Sequence, residues 1–430
     1  MRPPVGDGSI TKEIESAISS GILKGAIVLA TDSTSNFTYS SALGTRTLLS
    51  GETVPQSLDD VLYLASGTKL FAAIAALQCV DDGLLTLTSD LSSIVPELTS
   101  KQVFKGWSDA TSDPPVPILE PQPLPGNPAI TLESLLSQSS GMVYDFIETT
   151  GIGKWNAKFN APEVLPDGSK KPRPVEKAFA YPLSFHPETK WMYGPGFDWA
   201  GLIVERLTGR RLRDHIQERI IGPVGGIPSD VEFYPASQNQ DLRDRLVDLH
   251  PEDPLAVGKQ VLISSGEMNL LAQGDFGGHG MFTTGENYLL VLKSLLANDG
   301  KILKKETLNT MFENHLTDAS RKAQEEAIKS PFGPFFAVGT DEFKMQVGYG
   351  LGGLVTMEGV EGWYGKGTMT WGGGQTFVWF VDRENDLCGL CALQAKLPAA
   401  EMEKIAELKQ VFRRDIYRIR EAWRAGGKKD

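Results

Sequence analysis

The 430-residue sequence predicts an α/β protein in which a central antiparallel sheet flanked by helices carries an inserted, mostly helical domain. Two strand-like segments, 26–31 and 37–42, lie near the start of the chain and are joined by a short turn. Four more follow one another near the end with short connections, at 350–357, 366–371, 376–382 and 387–394. Since helices and long loops separate the two sets, we expect a sheet domain from residues 1–95 and 265–430. Residues 96–264 would form the inserted domain, with an active site in the groove between the two.

The remaining elements follow from periodicity and composition. Apolar residues at helical spacing predict an amphipathic helix over 9–22 and a long charged helix over 400–424. Between the strand sets the sequence predicts further helices at 131–138, 196–219 and 286–298. Seven prolines between 106 and 129 indicate an extended surface loop.

Composition and charge exclude several classes of protein. Hydrophobic residues make up 41% and charged residues 22%, which is ordinary globular usage. The net charge of −12 repels phosphate backbones, so we expect no nucleic-acid partner. The chain shows neither a signal-peptide h-region nor an apolar run long enough for a membrane span, and we expect a cytoplasmic protein. Cys388 and Cys391 lie in an apolar strand-like run and are interpreted as core residues.

The most informative segment is Ser66-Gly-Thr-Lys69, at the start of a helix rich in Ala and Leu. A spacing of three residues on the first turn places the hydroxyl and the ammonium on one face. A serine hydroxyl needs an adjacent base to become a nucleophile, and unpaired N–H groups at a helix N-terminus can stabilise an oxyanion. An N-cap serine followed by a solvated lysine would give the same spacing, so the motif alone does not decide.

Other motif-like segments follow in order. Tyr193-Gly precedes a helix that contains Asp198 and Glu205, Gly277-Gly-His279-Gly-Met281 precedes another helix, and Lys366-Gly lies before Trp371-Gly372-Gly373-Gly374. This ordered set resembles the superfamily of serine β-lactamases, penicillin-binding proteins and family VIII esterases. It is most similar to the fungal lovastatin-type polyketide acyltransferases, over about residues 10–395.

The resemblance implies a β-lactamase/transpeptidase-like fold and a role for each matching residue. Ser66 would be the acyl-accepting nucleophile, Lys69 would take or relay its proton, and Tyr193 would act as general base and then general acid. The backbone N–H groups of Ser66 and Gly374 would form the oxyanion hole. Taken alone, Tyr193 could also be a buried loop aromatic.

Two departures from penicillin-directed members point away from β-lactam chemistry. Pro195 stands where those members carry the Asn of Tyr-x-Asn, and Trp371-Gly372-Gly373 replaces Lys-Thr-Gly. Both lost side chains bind a β-lactam amide or carboxylate in that family. A flat aromatic at Trp371 suits an ester or apolar acyl group better than an anion.

Aromatic residues and glycines near these motifs are candidates for the walls of a hydrophobic substrate pocket, although each could equally serve packing. The pocket candidates are Tyr144, Phe146, Trp363, Tyr364, Trp371, Gly372, Gly373 and His279, and other flanking aromatics are Trp155, Phe332, Phe335 and Phe336. His279 could line the pocket or be structural. The histidines show no metal-ligand spacing, and we expect no metal and no organic cofactor.

The sequence therefore predicts a serine acyltransferase. It would move a short acyl group from a thioester or ester donor, through an acyl-Ser66 intermediate, to a hydroxyl or amine of a hydrophobic natural-product acceptor. An acyl carrier protein of a polyketide synthase is a possible donor. A carboxylesterase is the first alternative, because water can replace the acceptor, and a non-catalytic binding protein on the same fold is the second.

Overall fold

The computed structural model describes residues 10–123, 129–147, 151–234, 239–247, 251–256, 267–330, 345–374, 376–395 and 402–426. Its strands are β1 Leu23–Thr31, β2 Thr38–Thr47, β3 Thr53–Pro55, β4 Val61–Tyr63, β5 Val103–Asp109, β6 Val116–Glu120, β7 Glu232–Phe233, β8 Met281–Thr284, β9 Val347–Tyr349, β10 Leu354–Thr356, β11 Met369–Gly373, β12 Phe377–Asp382 and β13 Leu387–Ala395.

The α-helices of the described residues begin with α1 Ile10–Ser19, α2 Thr68–Asp81, α3 Pro96–Thr99, α4 Leu132–Leu136, α5 Ile152–Phe159, α6 Val175–Ala178, α7 Gly196–Thr208 and α8 Leu212–Ile216. They continue with α9 Gly222–Val224, α10 Gln240–Asp244, α11 Glu267–Leu270, α12 Gly285–Ala297, α13 Lys305–Met311, α14 Asp318–Lys329 and α15 Met402–Gly426. Short 3₁₀ turns lie at Ala65–Gly67 and Pro228–Asp230, and a π-helical turn lies at Gln217–Ile221.

Strands from both ends of the chain form one eight-stranded sheet, in the order β3-β2-β1-β13-β12-β11-β10-β9. Its neighbouring strands are all antiparallel, and the junction of the two ends is the pairing of β1 with β13. The predicted fold class, an antiparallel sheet flanked by helices, is therefore confirmed.

The two faces of this sheet are covered by different helices, as the alternation of side chains along each strand requires. Leu29 faces Leu390 in the register, and both approach Gly285 at the start of α12. One residue further, Ala30 faces Gly389, where a Cβ would stand 3.3 Å from the ring of Phe412 on α15. The sheet core is thus closed on one side by α12 and on the other by the C-terminal helix.

Helix α2 is the central helix of the molecule. Every residue from Thr68 to Cys79 is buried, so it has no polar face to present to water. It packs against α7 of the inserted segment on one side and approaches the strand pair β11–β12 through the Ala65–Gly67 turn. The first turn of α2 therefore lies where the sheet meets the helices between the two strand sets.

Three predicted elements differ in detail. The predicted strand 350–357 contains β10 and the turn before it, in which Gly352 has a φ of +139°, whereas the hairpin partner β9 ends at Tyr349. The proline-rich segment contains the antiparallel pair β5–β6, so the inserted segment is less purely helical than expected. The predicted helix 196–219 is interrupted at Gly209, where a φ of +67° ends α7.

Glycine at such a turn avoids the cost that a residue with a side chain would pay in a left-handed conformation, and the interruption redirects the chain into α8.

Within the residues that the structure describes, no helix combines the length and the apolarity needed to cross a membrane. The division into residues 1–95 with 265–430 and 96–264 remains a proposal.

Candidate active site

Ser66 lies in the short turn Ala65–Gly67 that runs directly into α2. Ala65 has a φ of +46°, a left-handed conformation that is costly for a residue with a Cβ and that often marks a functional site. Thr68 ties the turn down, since its Oγ1 donates to the Ala65 carbonyl at 2.7 Å and accepts from the Met281 N–H at 3.1 Å. Ser66 is thereby held at the helix N-terminus, the position that the motif predicted.

The Lys69 side chain is fully buried and its ammonium has three acceptors. Nζ donates to Ser66 Oγ at 3.1 Å, to the Tyr144 hydroxyl at 3.2 Å and to the Gly278 carbonyl at 2.7 Å. Three acceptors match the three N–H bonds of the charged form. The lysine nitrogen is thereby held directly beside the serine oxygen.

Asp198, in the first turn of α7, supplies a negative charge close to this ammonium without touching it. Its carboxylate accepts from the Tyr144 hydroxyl at 3.2 Å and from the Gly278 N–H at 2.8 Å, the two groups whose oxygens bind Lys69. Burial raises the pKa of Asp198 to about 6, although the charge of Lys69 opposes the shift. Burial, and next the charge of Asp198, raises the pKa of Tyr144 well above its usual value, so Tyr144 stays protonated.

Tyr193 is the second side chain that contacts the Ser66 hydroxyl. Its hydroxyl is hydrogen-bonded to Ser66 Oγ, and the Lys69 Nζ lies 4.7 Å from the centre of its ring. The ring also contacts Trp371, with centroids 5.6 Å apart, and Tyr144, at 5.0 Å. Ser66 thus has a lysine and a tyrosine within hydrogen-bond reach, which is the arrangement of an activated nucleophile.

The end of β11 lies against the Ser66 turn. A Cβ at Gly373 would stand 2.0 Å from the Leu64 carbonyl and 2.9 Å from the Gly67 nitrogen, so only glycine fits there. Gly374 has a φ of +60°, which again favours glycine. The close approach to the Ser66 turn is made by Gly373, and the oxyanion-hole role of the Ser66 and Gly374 N–H groups stays a prediction.

The comparison with protein families agrees with this arrangement. The model of the Beta-lactamase family matches residues 25–411. The chain belongs to the beta-lactamase family.

The proteins to which this chain is similar include an esterase and acyltransferases. The chain is 53% identical to the lovastatin esterase of Penicillium rubens, over 95% of this chain and 98% of that protein. It is 30% identical to the monacolin J acid methylbutanoyltransferase of Aspergillus terreus, over 88% of each chain. Among solved structures, a LovD6 mutant of simvastatin synthase from Aspergillus terreus matches with a TM-score of 0.78 and 28% identity, over 96% of this chain and 97% of that one. This beta-lactamase family member is therefore an enzyme of acyl transfer or ester hydrolysis.

Several predicted pocket residues lie together at the site of this family member. The Tyr144 ring stacks on Phe146, with centroids 5.1 Å apart and planes at 14°. Phe146 is 55% exposed, whereas Tyr144 and Trp371 are buried. Gly372 lies on β11 beside Trp371, where a Cβ would stand 2.5 Å from the Phe377 carbonyl. An aromatic surface thus leads from solvent at Phe146 to the Lys69 ammonium under Tyr144.

His279 is buried and directly follows Gly278, the residue whose carbonyl holds Lys69. Its Nδ1 lies 3.1 Å from the Asn269 Oδ1, and its ring lies 5.2 Å from that of Phe276. Burial and the neighbouring Lys69 charge lower the pKa of His279 to about 3, so the ring is neutral at physiological pH. These contacts support a structural role in holding the glycine-rich segment.

Trp363 and Tyr364 are not brought to the site, contrary to the prediction that they line the pocket. They stack on each other with centroids 4.4 Å apart. The Trp363 Nε1 donates to the Arg413 carbonyl at 3.1 Å, and Tyr364 contacts Tyr417, so both pack under α15. The physical reason is strand direction: they precede β11, and it is the other end of that strand that reaches Ser66. Phe332, Phe335 and Phe336 lie outside the described residues.

The sequence analysis gave no role to Asp198 or to the Gly278 carbonyl. A signal existed for Asp198, because it is a lone charge in the apolar run Phe197–Gly201, all of which is buried. A Cβ at Gly278 would stand 2.3 Å from the Asp198 Oδ2, so this glycine is required for the carboxylate to approach. No local pattern predicts which backbone carbonyl a lysine will bind.

Proposed function

We propose that this enzyme is a serine esterase that removes an acyl side chain from a hydrophobic polyketide ester through an acyl-Ser66 intermediate. The observation that carries the chemistry is the Ser66 hydroxyl held between the Tyr193 hydroxyl and the Lys69 ammonium. The 53% identity to lovastatin esterase favours an ester of the lovastatin type as substrate.

In the first step, Ser66 Oγ bonds to the acyl carbon while its proton passes to Tyr193. The Lys69 Nζ lies 4.7 Å from the Tyr193 ring centre and donates to Ser66 Oγ, so it is close to both oxygens between which the proton moves. The backbone N–H groups of Ser66 and Gly374 stabilise the negative oxygen of the tetrahedral intermediate. The bond between the acyl carbon and the oxygen of the alcohol part then breaks, and the departing alkoxide takes the proton from Tyr193.

In the second step, water bonds to the acyl carbon as Tyr193 takes one of its protons. The bond between the acyl carbon and Ser66 Oγ then breaks, Tyr193 returns the proton to Ser66 Oγ, and the free acid leaves. Phe146 and Tyr144 offer an aromatic surface on which a hydrophobic alcohol part can rest during the first step. Because that surface is continuous with the buried site, we expect large apolar alcohol parts to be preferred over small ones.

Acyl transfer is the second candidate. The monacolin J acid methylbutanoyltransferase relative, 30% identical over 88% of this chain, favours it. In that case a thioester or ester donor would acylate Ser66, and a hydroxyl or amine of a hydrophobic acceptor would replace water. A small-molecule donor is sufficient for this proposal, and an acyl carrier protein is the larger donor that the resemblance implies.

The first experiment tests the shared intermediate. Wild type and Ser66→Ala are incubated with lovastatin and with p-nitrophenyl butyrate, and intact mass is recorded with the products. We expect a transient acyl adduct on wild type, equal release of alcohol and acid, and neither with Ser66→Ala. Wild type that forms no adduct and releases no product with either ester would contradict the esterase and the transferase alike.

A second experiment separates the two candidates. Wild type is given a butyryl thioester with the deacylated alcohol of lovastatin as acceptor. An esterase yields mainly free butyric acid whatever the acceptor concentration. New ester that rises with the acceptor until it exceeds free acid would replace the esterase proposal by the transferase.

A further inference from the structure

Gln138 lies in the turn that follows α4, between the sheet of this molecule and the loop that carries Tyr193. It is buried, with 2% of its surface exposed, and its φ of +61° is uncommon for a residue with a side chain. The left-handed backbone turns its carbonyl away from the end of α4. The backbone carbonyl and the side-chain Oε1 of Gln138 are both available to the neighbouring loop.

The contacts of Gln138 lie on both sides of Tyr193. Its backbone carbonyl accepts from the Met192 N–H at 3.1 Å, and its side-chain Oε1 accepts from the Gly194 N–H at 3.0 Å. The carbonyl of Tyr193 itself accepts from the Tyr144 N–H at 3.2 Å. Gln138 therefore holds the backbone N–H of the residue before the tyrosine and that of the residue after it.

The loop has little room to move away from this arrangement. A Cβ at Gly194 would stand 2.0 Å from the Met142 carbonyl, which shows how closely the two segments approach. Upstream on the same loop, the Glu188 N–H donates to the Ser139 carbonyl at 2.8 Å. Of these contacts, the Gly194 hydrogen bond is the one made by a side chain, so it can be removed by substitution.

We propose that Gln138 is a positioning residue that sets the place of the Tyr193 hydroxyl over Ser66. The inference rests on the proposed function, in which Tyr193 is the general base. A displacement of about 1 Å in a reacting group can cost on the order of 100-fold in rate. Loss of one of the two bonds that bracket Tyr193 should therefore reduce the rate of acyl transfer to Ser66 without removing any group that touches substrate.

The test uses Gln138→Met, which keeps length and removes the acceptor oxygen. The matched control is Gln78→Met, because Gln78 is also buried and its amide donates to the carbonyls of Arg219 and Ile302, on segments that do not carry Tyr193. With p-nitrophenyl butyrate we expect Gln138→Met to lower kcat by roughly 10-fold or more. The control should keep kcat within about 2-fold even if its thermal stability falls equally.

The double variant distinguishes positioning from general damage. If Gln138 acts through Tyr193, adding Gln138→Met to Tyr193→Phe should change the residual rate by less than about 2-fold, because coupled residues are not additive. An equal further loss in both backgrounds would overturn the proposal. Gln138→Asn, which accepts a left-handed backbone but no longer reaches Gly194, serves as the second variant should methionine prevent folding.

A readout without turnover keeps the inference separate from the proposed function. 3-Fluorotyrosine is placed at position 193, and its ¹⁹F resonance is recorded in wild type, Gln138→Met, Gln138→Asn and Gln78→Met. We expect a shifted or broadened signal for both Gln138 variants and an unchanged one for the control. Unchanged signals throughout would overturn the positioning role, whereas altered Gln138 signals in an enzyme without esterase activity would refute only the proposed function.

Discussion

Two side chains compete for the role of proton acceptor from Ser66, and their hydrogen bonds distinguish them. Lys69 donates to three oxygens, one of which is Ser66 Oγ itself, so it offers no lone pair to the serine proton. When the serine oxygen accepts from Lys69, its own hydrogen is free to point to the Tyr193 hydroxyl. We therefore propose Tyr193 as the base, with Lys69 as the hydrogen-bond donor to the serine oxygen.

This assignment predicts a large effect of removing one oxygen. Tyr193→Phe keeps the ring packing on Trp371 and removes the hydroxyl that contacts Ser66. We expect kcat/KM for p-nitrophenyl butyrate to fall by ~10²–10⁴-fold, the usual scale for a general acid–base group. Phe179→Leu, which changes another aromatic neighbour of Tyr144, is the control. Near-normal turnover of Tyr193→Phe would exclude Tyr193 as the base.

At the scale of elements, helix α7 carries two unusual carboxylates. Asp198 in its first turn faces the site, and Glu205 near its end accepts from the Leu212 N–H at 2.8 Å, where α8 begins. Burial raises the pKa of Glu205 to about 7. The helix therefore contributes a charge to the active site at one end and a pH-sensitive junction at the other.

The Glu205 junction predicts a pH dependence of stability. Because the folded pKa is raised above the ordinary value, the folded state binds the extra proton more tightly, and this stabilisation is lost as pH rises through about 7. Glu205→Gln keeps an acceptor for Leu212 without a charge. We expect the variant to gain on the order of 2 kcal/mol in unfolding free energy over wild type at pH 8 and little at pH 5.

Urea unfolding at the two pH values measures this difference. Glu218→Gln is a suitable control, because Glu218 is an exposed partner of Arg210 in the turn that follows α8. An advantage of Glu205→Gln that is as large at pH 5 as at pH 8 would show that the stabilisation does not come from titration of this carboxyl.

The strand β11 shows how an element links the sheet to the site. Trp363, which lies before the start of the strand, packs under α15, and the end of the strand presents glycines to the Ser66 turn. The pairing of β11 with β12 fixes the positions of Trp371, which is opposite Trp379, and of Gly373, which is opposite Phe377. The glycines at this end of β11 are therefore required because the strand approaches the Ser66 turn closely, and not because the chain must be flexible there.

At the scale of the whole molecule, the sheet depends on both ends of the chain, and α15 closes one of its faces. Phe412 and Ile416 of this helix are fully buried, whereas residues 421–426 are exposed. Phe412 also contacts the β1–β13 junction, where the two ends of the chain meet. The helix therefore protects the pairing on which the active-site framework depends.

A pair of truncations tests this dependence. A chain ending at Ala395 would expose the apolar sheet face under α15, and we expect it to aggregate or to bind a hydrophobic dye without a cooperative thermal transition. A chain ending at Arg424 keeps the contact of Trp423 with the buried Phe37 and should keep a transition close to that of wild type. Soluble, cooperative unfolding of the shorter chain would contradict the role given to α15.

The sequence alone was enough for the features that depend on near neighbours. Ser66 and Lys69 are three residues apart on a strong helix-forming segment, so their shared face follows from helix geometry. Short apolar segments joined by turn-like connections predict the strands at both ends of the chain, and the ordered motifs identify the family. The predicted bounds were wrong where glycine turned the chain, as at Gly209 and between β9 and β10.

Only the tertiary structure decided which distant groups surround the reactive serine. Lys69 meets Tyr144 and the Gly278 carbonyl across separations of 75 and 209 residues, and Gln138 brackets Tyr193 from another turn. The tertiary structure likewise places Trp363 under the C-terminal helix, although Trp363 and Trp371 are both tryptophans and the sequence does not tell them apart. Such contacts are set by the packing of whole elements, which depends on the sum of many side chains, whereas a sequence motif reports only the geometry of its own few residues.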